Sequence, residues 1–396
     1  MPNNSLDPIV AALQPIESIE QAASLTERPF SRQLLANLTQ IEPAIISGWL
    51  KFMTDDWPLE GFPEWFALKL DELGFIGNHD TPLSVSRFVA SLFRNHAYKS
   101  VLDPACGTGG LLSAVSEQVG THAALYGQEI NAEAWAWACL RMLVGGQNNA
   151  QLQLGRGLIE QSFEREGFRR NYDLVLTNPP FGMHIDYEAI SRSALFSEIQ
   201  PEGMAPRLSS ETAFVRQAFN SLSSDGIAAI IVPNGFLFRG GIDRKLRENL
   251  AARDAVKAVI GMPARLFVPG TTIETAILIL SRNKTDSERG QILFIDARGL
   301  GQRDGSRIEL DAKAAGKIQS TYEHWTAEDG FSEIIAVEKL DSDNFSFSPA
   351  HYINPAPRTE LIDAGFRHTR MLELDQRYAI LKEEYETLRS KLRETN

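Results

Sequence analysis

One turn motif holds residue types that could direct chemistry at an amine. Asn178, Pro179, Pro180 and Phe181 directly follow the apolar run at 172–176. Neither proline can donate to a sheet ladder, so a strand must end here. The Asn178 side-chain oxygen and the Pro179 carbonyl could accept both hydrogens of an exocyclic amino group, leaving its lone pair free to attack a methyl donor. Phe181 could stack on the ring that carries the amine; an ordinary strand-ending turn with a core phenylalanine is the alternative interpretation.

A loop of small residues lies between a predicted strand at 99–103 and a helical pattern that begins at Leu111. Strand, glycine loop and helix in this order bring backbone amides close to a nucleotide-like ligand. The glycine spacing is not that of a dinucleotide-binding fingerprint, and no Gly-Lys-Ser/Thr follows, which disfavours a P-loop. Asp103 at the strand end could meet the ammonium of an amino-acid-like cofactor. Glu129 ends a second strand about 20 residues beyond the glycines, where such sheets place a ligand for ribose hydroxyls.

These motifs, in this order, resemble the S-adenosylmethionine-dependent adenine-N6 DNA methyltransferases, and in particular the modification (M) subunit of type I restriction–modification systems. The resemblance is strong over residues 75–300, and its blocks lie at 103–112, 127–131, 178–182, 228–241, 258–263 and 275–281. It implies transfer of a methyl group to adenine N6 in DNA. The adenine would leave the duplex and stack on Phe181, while Asn178 and Pro179 orient its amine toward the sulfonium methyl.

The resemblance also implies a site for S-adenosyl-L-methionine, with no metal. Its expected members are His79, Asp80, Thr81, Pro82, Asp103, Ala105, Cys106, Gly107, Thr108, Gly109, Gly110 and Glu129. Thr81 and Pro82 also fit an N-cap and the first residue of a helix. Two departures weaken this assignment. His79 and Asp80 stand where the family has aromatic residues, and Arg156 replaces an Asp or Asn that holds the cofactor's adenine amino group; arginine cannot accept that hydrogen bond.

Alternating strands and helices predict an α/β fold with a Rossmann-like, doubly wound and mostly parallel sheet. The predicted strands lie at 99–103, 125–130, 151–155, 172–177, 227–232, 256–260 and 275–280. A helix with apolar residues from Phe214 to Leu222 is expected to end at Asp225 and Gly226. Parallel sheets bind ligands at the carboxyl ends of their strands, which is where the two acids and Asn178 fall.

The predicted layout has four regions: a small helical N-terminal region at 1–75, a methyltransferase domain at 76–300, a mixed extension at 301–360 and a coiled-coil helix at 361–396. A heptad seam is indicated in the last region by apolar residues whose spacings alternate between three and four, at Met371, Leu374, Tyr378, Leu381, Tyr385, Leu388 and Leu392. A narrow seam favours pairing with another helix; self-docking or a homodimeric coil is the alternative. The resemblance implies that the partner is the specificity subunit.

Composition favours a cytoplasmic enzyme of one large domain with smaller appendages. The chain has 396 residues, 43% of them hydrophobic, and no apolar run approaches the ~20 residues that span a bilayer. The N-terminal residues lack the pattern of a secretory signal. Two cysteines, Cys106 and Cys139, exclude a disulfide framework and a cysteine-rich zinc cluster.

The net charge of −12 disfavours a protein that clamps DNA unaided. One loop–helix segment is nevertheless basic, and it could contact phosphates or form a solvated helix face; it holds Arg239, Arg244, Lys245, Arg247 and Arg253. In the resembled systems a separate specificity subunit reads the DNA, which fits the acidic balance. DNA and that subunit are therefore the expected partners, with a second modification subunit and a restriction subunit as further candidates.

Three other functions stay open on the sequence alone. RNA adenine could be the acceptor. The glutamine amide of release factors is methylated by enzymes with a similar Asn-Pro-Pro-aromatic turn. The departures at Asp80 and Arg156 also fit a non-catalytic scaffold subunit.

Overall fold

The computed structural model describes residues 81–119, 123–147, 150–155, 171–186, 207–268 and 271–353. Several of the predictions fall outside the described residues. They concern the helical region at 1–75, His79, Asp80, Arg156 and the heptad seam at 361–396.

The described residues form thirteen strands and seven α-helices. The strands are β1 (Ser100–Asp103), β2 (Ala124–Glu129), β3 (Gln151–Leu154), β4 (Tyr172–Thr177), β5 (His184–Asp186), β6 (Arg207–Ser209), β7 (Leu222–Pro233), β8 (Val256–Gly261), β9 (Thr275–Ser281), β10 (Gln291–Asp296), β11 (Gln302–Asp304), β12 (Arg307–Glu309) and β13 (Ser332–Ala336). The helices are α1 (Leu83–Ser91), α2 (Gly110–Val119), α3 (Ala132–Val144), α4 (Ser210–Asn220), α5 (Ile242–Ala252), α6 (Ala312–His324) and α7 (Pro349–Tyr352). Two 3₁₀ segments lie at Asn234–Leu237 and Val337–Asp343.

A nine-stranded sheet has the order β13-β10-β8-β9-β7-β4-β1-β2-β3. The five strands from β3 to β7 in this order are parallel. Strand β9 runs antiparallel between β7 and β8, β10 is parallel to β8, and β13 closes one edge antiparallel to β10. The predicted α/β fold with a Rossmann-like, mostly parallel sheet is confirmed.

Both faces of the sheet are covered, as expected for a doubly wound fold. Successive side chains of β4 alternate between two apolar clusters: Leu174 and Leu176 enter one, and Val175 enters the other. The first cluster includes Trp135 on α3, and the second includes Phe294 on β10. Burial on both faces explains why these strands read as continuous apolar runs in the sequence.

The structure corrects three details of the predicted elements. The predicted strands agree with the observed ones within one residue at their ends, except that β7 begins at Leu222. The predicted helix end at Asp225 and Gly226 is wrong, because α4 ends at Asn220 and Leu222 pairs with Tyr172 of β4. Strands β10 and β13 were not predicted, although the run at 291–296 has four central apolar residues after a glycine.

Helix α6 lies late in the sequence and is hydrogen-bonded to α1 and to the turn that follows it. Gln319 Nε2 donates to the Ser91 carbonyl at 2.9 Å, and Asn95 Nδ2 donates to Glu323 Oε1 at 2.9 Å. Strand β13 also lies beyond residue 300, so residues on both sides of that position share one sheet. The division into four regions remains a prediction about domain organisation. Within the described part of the chain, no helix has the length and apolar character that a membrane crossing needs.

Candidate active site at the carboxyl edge of the sheet

The loop after β1 wraps around the end of β2. The N–H of Cys106 donates to the Gln128 carbonyl at 2.9 Å, and the N–H of Gly107 donates to Glu129 Oε2 at 2.9 Å. Gly107 and Gly109 have φ values of 53° and 81°, in the left-handed region that favours glycine. The loop therefore exposes backbone where a side chain would otherwise intervene.

Glu129 also organises the start of α3. Its Oε1 accepts hydrogen bonds from the N–H groups of Ile130 at 2.8 Å and Asn131 at 2.7 Å. The Asn131 Oδ1 in turn accepts from the N–H groups of Glu133 and Ala134, which caps the helix. A half-buried carboxylate held in this way can still accept hydrogen bonds from hydroxyl groups of a ligand.

Asp103 is a buried carboxyl group, 1% exposed, at the end of β1. Burial raises the pKa of Asp103 to about 7; the N–H of Ala105, which donates to Oδ1 at 3.1 Å, and the Thr177 hydroxyl oppose that rise, and the charge of Glu129 adds to it. A positively charged ligand group beside this carboxyl would favour its ionised form. The site is therefore suited to an ammonium.

Close packing beneath the loop requires small residues. A Cβ added at Gly127 would lie 2.5 Å from Leu152 Cδ2, 2.9 Å from Leu112 Cδ1 and 3.1 Å from Cys106 Sγ. Burial, and then the charges of Asp103 and Glu129, raise the pKa of the Cys106 thiol. Cys106 thus serves as a small packing residue here, in agreement with its position among the glycines.

Arg141 of α3 supports the loop from behind, and it was missed from the sequence. It is 6% exposed, and its Nη2 donates to Thr108 Oγ1 at 3.3 Å. Ala138 lies one turn earlier on the same helix, within 3.3 Å of a Cβ built at Gly109. The spacing of three residues between Ala138 and Arg141 places both on one helix face, but only the fold shows that this face meets the glycine loop.

The turn after β4 brings Asn178 against Thr81. Asn178 Nδ2 donates to Thr81 Oγ1 at 2.9 Å. Its Oδ1 is buried and accepts no hydrogen bond from any described residue. A buried acceptor is costly unless a donor reaches it, so this oxygen is suited to a ligand amine.

Phe181 is half-buried next to a second aromatic ring. Its centroid lies 6.3 Å from that of Phe267, with the ring planes at 83°. Such edge-to-face contacts favour one orientation of the ring. Phe267 was not predicted, because it lies outside every motif recognised in the sequence.

The start of α4 holds the backbone of the turn. Ser210 Oγ donates to the Pro180 carbonyl at 2.7 Å, and Glu211 Oε1 accepts from the N–H of Gly182 at 3.0 Å. Neither Ser210 nor Glu211 was singled out from the sequence.

All five of the exposed large hydrophobic side chains found among the described residues lie at this same edge. They are Ile130, Leu154, Met183, Phe238 and Ile273. The first four follow or end strands that run toward the edge, and Ile273 precedes the antiparallel β9. Strands β3 and β9 have four strands between them in the sheet, so these side chains are distributed along the edge and do not form one patch.

The basic segment does not form one phosphate-binding stripe. Arg247 is fully buried and donates to the carbonyls of Phe236 at 2.6 Å, Arg239 at 2.8 Å and Phe345 at 2.8 Å. Burial lowers the pKa of Arg247 to about 10. Arg244 pairs with Glu248 at 2.7 Å. Arg247 is therefore a structural residue, and neither a solvated helix face nor phosphate contact describes it.

Most of the predicted site residues meet at this edge. Thr81, the loop from 103 to 110, Glu129 and the turn from 178 to 181 come together, while His79 and Asp80 lie outside the described residues. The expected helix start is off by one position, since Pro82 is the N-cap and α1 begins at Leu83. The Thr81 hydroxyl contacts Asn178 instead of capping the helix.

An Asn-Pro-Pro-Phe turn and a glycine loop on such a sheet define a class of methyltransferase-like α/β proteins, and comparison with known proteins identifies the family. The model of the N-6 DNA Methylase family matches residues 64–360, so the chain belongs to this family. The family resemblance inferred from the motifs is confirmed.

Relatives of known type are similar over most of the chain. It is 28% identical over 333 residues to the type I restriction enzyme MjaVIII methylase subunit of Methanocaldococcus jannaschii, covering 80% of this chain and 56% of that protein. It is 25% identical over 298 residues to the HindI methylase subunit of Haemophilus influenzae, covering 72% of this chain and 65% of that protein. The matches thus span between 56% and 65% of the length of these relatives.

A solved structure has the same fold. The type I restriction–modification system methyltransferase subunit from Streptococcus thermophilus gives a TM-score of 0.71 at 22% identity. The match covers 86% of this chain and 76% of that one.

Proposed function

We propose that the chain transfers a methyl group from S-adenosyl-L-methionine to adenine N6 in DNA. It would act as the modification subunit of a type I-like complex in which a separate specificity subunit reads the sequence. The observation that carries this proposal is the buried Asn178 Oδ1, which lacks a donor among the described residues and lies on the turn beside the glycine loop. Membership of the N-6 DNA methylase family supports the choice of acceptor.

The residues present fit the cofactor. Asp103 would face the ammonium, Glu129 would accept from the ribose hydroxyls, and the glycine loop would allow close approach of its backbone. Ile130 and Leu154 are 66% and 44% exposed and would cover the adenine ring. When bound, the cofactor supplies an electrophilic methyl group on a sulfonium.

Positioning would provide most of the catalysis. The target adenine leaves the duplex, because its amine is paired and unreachable inside the stack. Asn178 Oδ1 and the Pro179 carbonyl accept the two N6 hydrogens, which directs the nitrogen lone pair at the methyl group. Phe181 stacks on the base. The two acceptors would stabilise the positive charge that develops on N6, and the cationic product would release its proton to water, so no general base is needed.

DNA and a specificity subunit are the proposed partners, with a second modification subunit and a restriction subunit as further members of the complex. The net charge of −12 supports this division, because DNA affinity would come largely from the partner. The heptad seam at 361–396 is the proposed contact with the specificity subunit.

Transfer of labelled methyl to unmethylated DNA tests the proposal. The full chain is assayed alone and with the product of its neighbouring gene as the candidate specificity subunit, and the product nucleoside is identified. Label on adenine N6 only with the partner is the expected result. Label on RNA or on a glutamine peptide instead, or no label and no cofactor binding, would contradict the proposal.

Two variants connect that activity to the turn. Asn178→Ala should reduce transfer by about a hundredfold or more while cofactor affinity stays within about twofold, since the lost acceptor acts on the amine. Asn283→Ala is the matched control, because Asn283 makes an exposed contact with Asp225 at 2.8 Å, away from the carboxyl edge. Equal turnover of the two variants would exclude the mechanism.

A further inference from the structure

We propose that Ser210 and Glu211 are positioning residues for the catalytic turn, an inference that rests on the function proposed above. Their side chains are buried, with 0% and 1% exposed. They open α4, which begins 32 positions after Asn178 in the chain, and neither belongs to the turn or to the glycine loop.

The Ser210 side chain is hydrogen-bonded to the backbone both before and after Phe181 and Gly182. Its hydroxyl donates to the Pro180 carbonyl at 2.7 Å and accepts from the N–H of Met183 at 3.2 Å. Its own N–H donates to the Met183 carbonyl at 2.8 Å. The prolines restrict φ only at their own positions, so the backbone that carries Phe181 needs these additional restraints.

Glu211 restrains Gly182, which directly follows the Asn-Pro-Pro-Phe turn and has no side chain that could hold it in place. Gly182 has φ 69°, is exposed, and a Cβ built there would meet nothing within 4 Å. Its N–H donates to Glu211 Oε1 at 3.0 Å. A hydrogen bond to a carboxylate is stronger than one between neutral groups, which makes Glu211 an effective anchor.

Arg239 compensates the buried charge of Glu211. Its Nη2 lies 3.8 Å from Glu211 Oε1, and its Nε lies 3.1 Å from Asp243 Oδ2. Asp243 also accepts from the hydroxyls of Ser209 and Thr212 at the start of α4. A buried carboxylate needs such a partner, and this network joins the turn to α4 and α5.

Misplacement of the turn should slow the methyl-transfer step and should not affect cofactor binding. Asn178 and Phe181 lie on either side of two prolines and must address the same base, so a shift of the later part of the turn would misalign them. A displacement of about 1 Å can reduce a rate on the order of a hundredfold. Loss of either anchor is therefore expected to lower kcat and to leave cofactor affinity unchanged.

Hydrogen exchange tests the anchors without requiring any activity. The full chain is compared with Glu211→Ala, Glu211→Gln and Ser210→Ala by exchange of the peptide that contains the Gly182 and Met183 amides. We expect about tenfold faster exchange in both alanine variants, and an increase of about threefold or less in Glu211→Gln, which keeps the acceptor oxygen but loses the charge. Glu248→Ala is the matched control, since Glu248 also pairs with an arginine but is 35% exposed. Unchanged exchange in Glu211→Ala and Ser210→Ala would overturn the proposal even if the chain methylates nothing.

Methyl transfer then tests the role in the reaction. Glu211→Ala should lower kcat about tenfold or more with cofactor affinity within about twofold, and Glu211→Gln should restore most of the rate. A parallel fall in melting temperature, cofactor affinity and kcat that glutamine does not restore would show a merely structural role and overturn the proposal. If wild-type protein transfers no methyl group, the proposed function fails while the exchange result still decides the anchoring.

Discussion

The side-chain amide of Asn178 is held by Thr81, a residue 97 positions earlier, through an Nδ2–Oγ1 hydrogen bond of 2.9 Å. An amide that donates on one side presents its oxygen on the other. Under the proposed function, the contact would hold Oδ1 ready to accept a hydrogen bond from the target amine. It also joins the segment before α1, expected from the sequence to hold the cofactor, to the Asn-Pro-Pro-Phe turn.

Thr81→Val should slow methyl transfer about tenfold, because valine keeps the shape but removes the hydroxyl that Asn178 needs. Cofactor affinity should change little, and Thr81→Ser should restore the rate. Single-turnover kinetics and a cofactor titration on all three proteins provide the measurement. A loss of cofactor affinity with unchanged kcat would mean that Thr81 acts on the cofactor alone.

The carboxyl of Asp103 should make both stability and cofactor binding depend on pH. Its folded-state pKa of about 7 lies above the ordinary 3.8, so the folded protein without ligand binds an extra proton between these values. Stability is therefore expected to fall as pH rises through this window, by at most roughly 4 kcal/mol. An ammonium binds the ionised form, so cofactor affinity should rise over the same range.

Asp103→Asn should remove both dependences. Denaturant unfolding and cofactor titration between pH 5 and pH 8 compare this variant with the wild type, a range chosen about the pKa of Asp103. Parallel pH profiles for the two proteins would show that Asp103 does not carry the effect.

Gly127→Ala should destabilise the protein by about 1–3 kcal/mol, because the new methyl group overlaps Leu152 and Leu112. Cofactor affinity should fall with it, since Cys106 of the glycine loop lies in the same contact. Gly316→Ala in α6 is the control: nothing lies within 4 Å of its added Cβ, and alanine should stabilise the helix by up to about 1 kcal/mol. Thermal unfolding is the measurement. Equal shifts in melting temperature for the two variants would contradict the packing argument.

Arg247→Met should cost about 3 kcal/mol of unfolding free energy, because three carbonyl groups lose their donor. The salt dependence of DNA binding should not change, since a buried guanidinium releases no counterions. Arg244→Met, on the surface of the same helix, should lie within about 0.5 kcal/mol of the wild type. A reduced salt slope in the Arg247 variant would instead indicate a phosphate contact.

The motifs that meet at the candidate site could be predicted from the sequence because each is short and continuous. Asp103, the glycines after it and Asn178 carry their signals locally, in residue type and in spacing from an apolar strand. Parallel strands with buried faces then place their carboxyl ends at one edge, so the assembly of these motifs followed from the order of the elements.

The supporting residues could not be predicted because their roles depend on distant pairings. Glu211 has no local mark that distinguishes it from any acid in a first helical turn, and Phe267 resembles any core aromatic. The end of α4 shows the same limit in the fold: Leu222 continues the helical spacing, and only its pairing with Tyr172 makes it part of a strand.

The contact between α6 and α1 also implies an order in which these parts of the protein can fold during synthesis. Gln319 follows Ser91 by 228 positions, and α1 is the helix that begins directly after Thr81 and Pro82. Until α6 has emerged from the ribosome, the segment that contacts Asn178 lacks this support. A nascent chain is therefore expected to complete the candidate site only after the helix that ends at His324 has been synthesised.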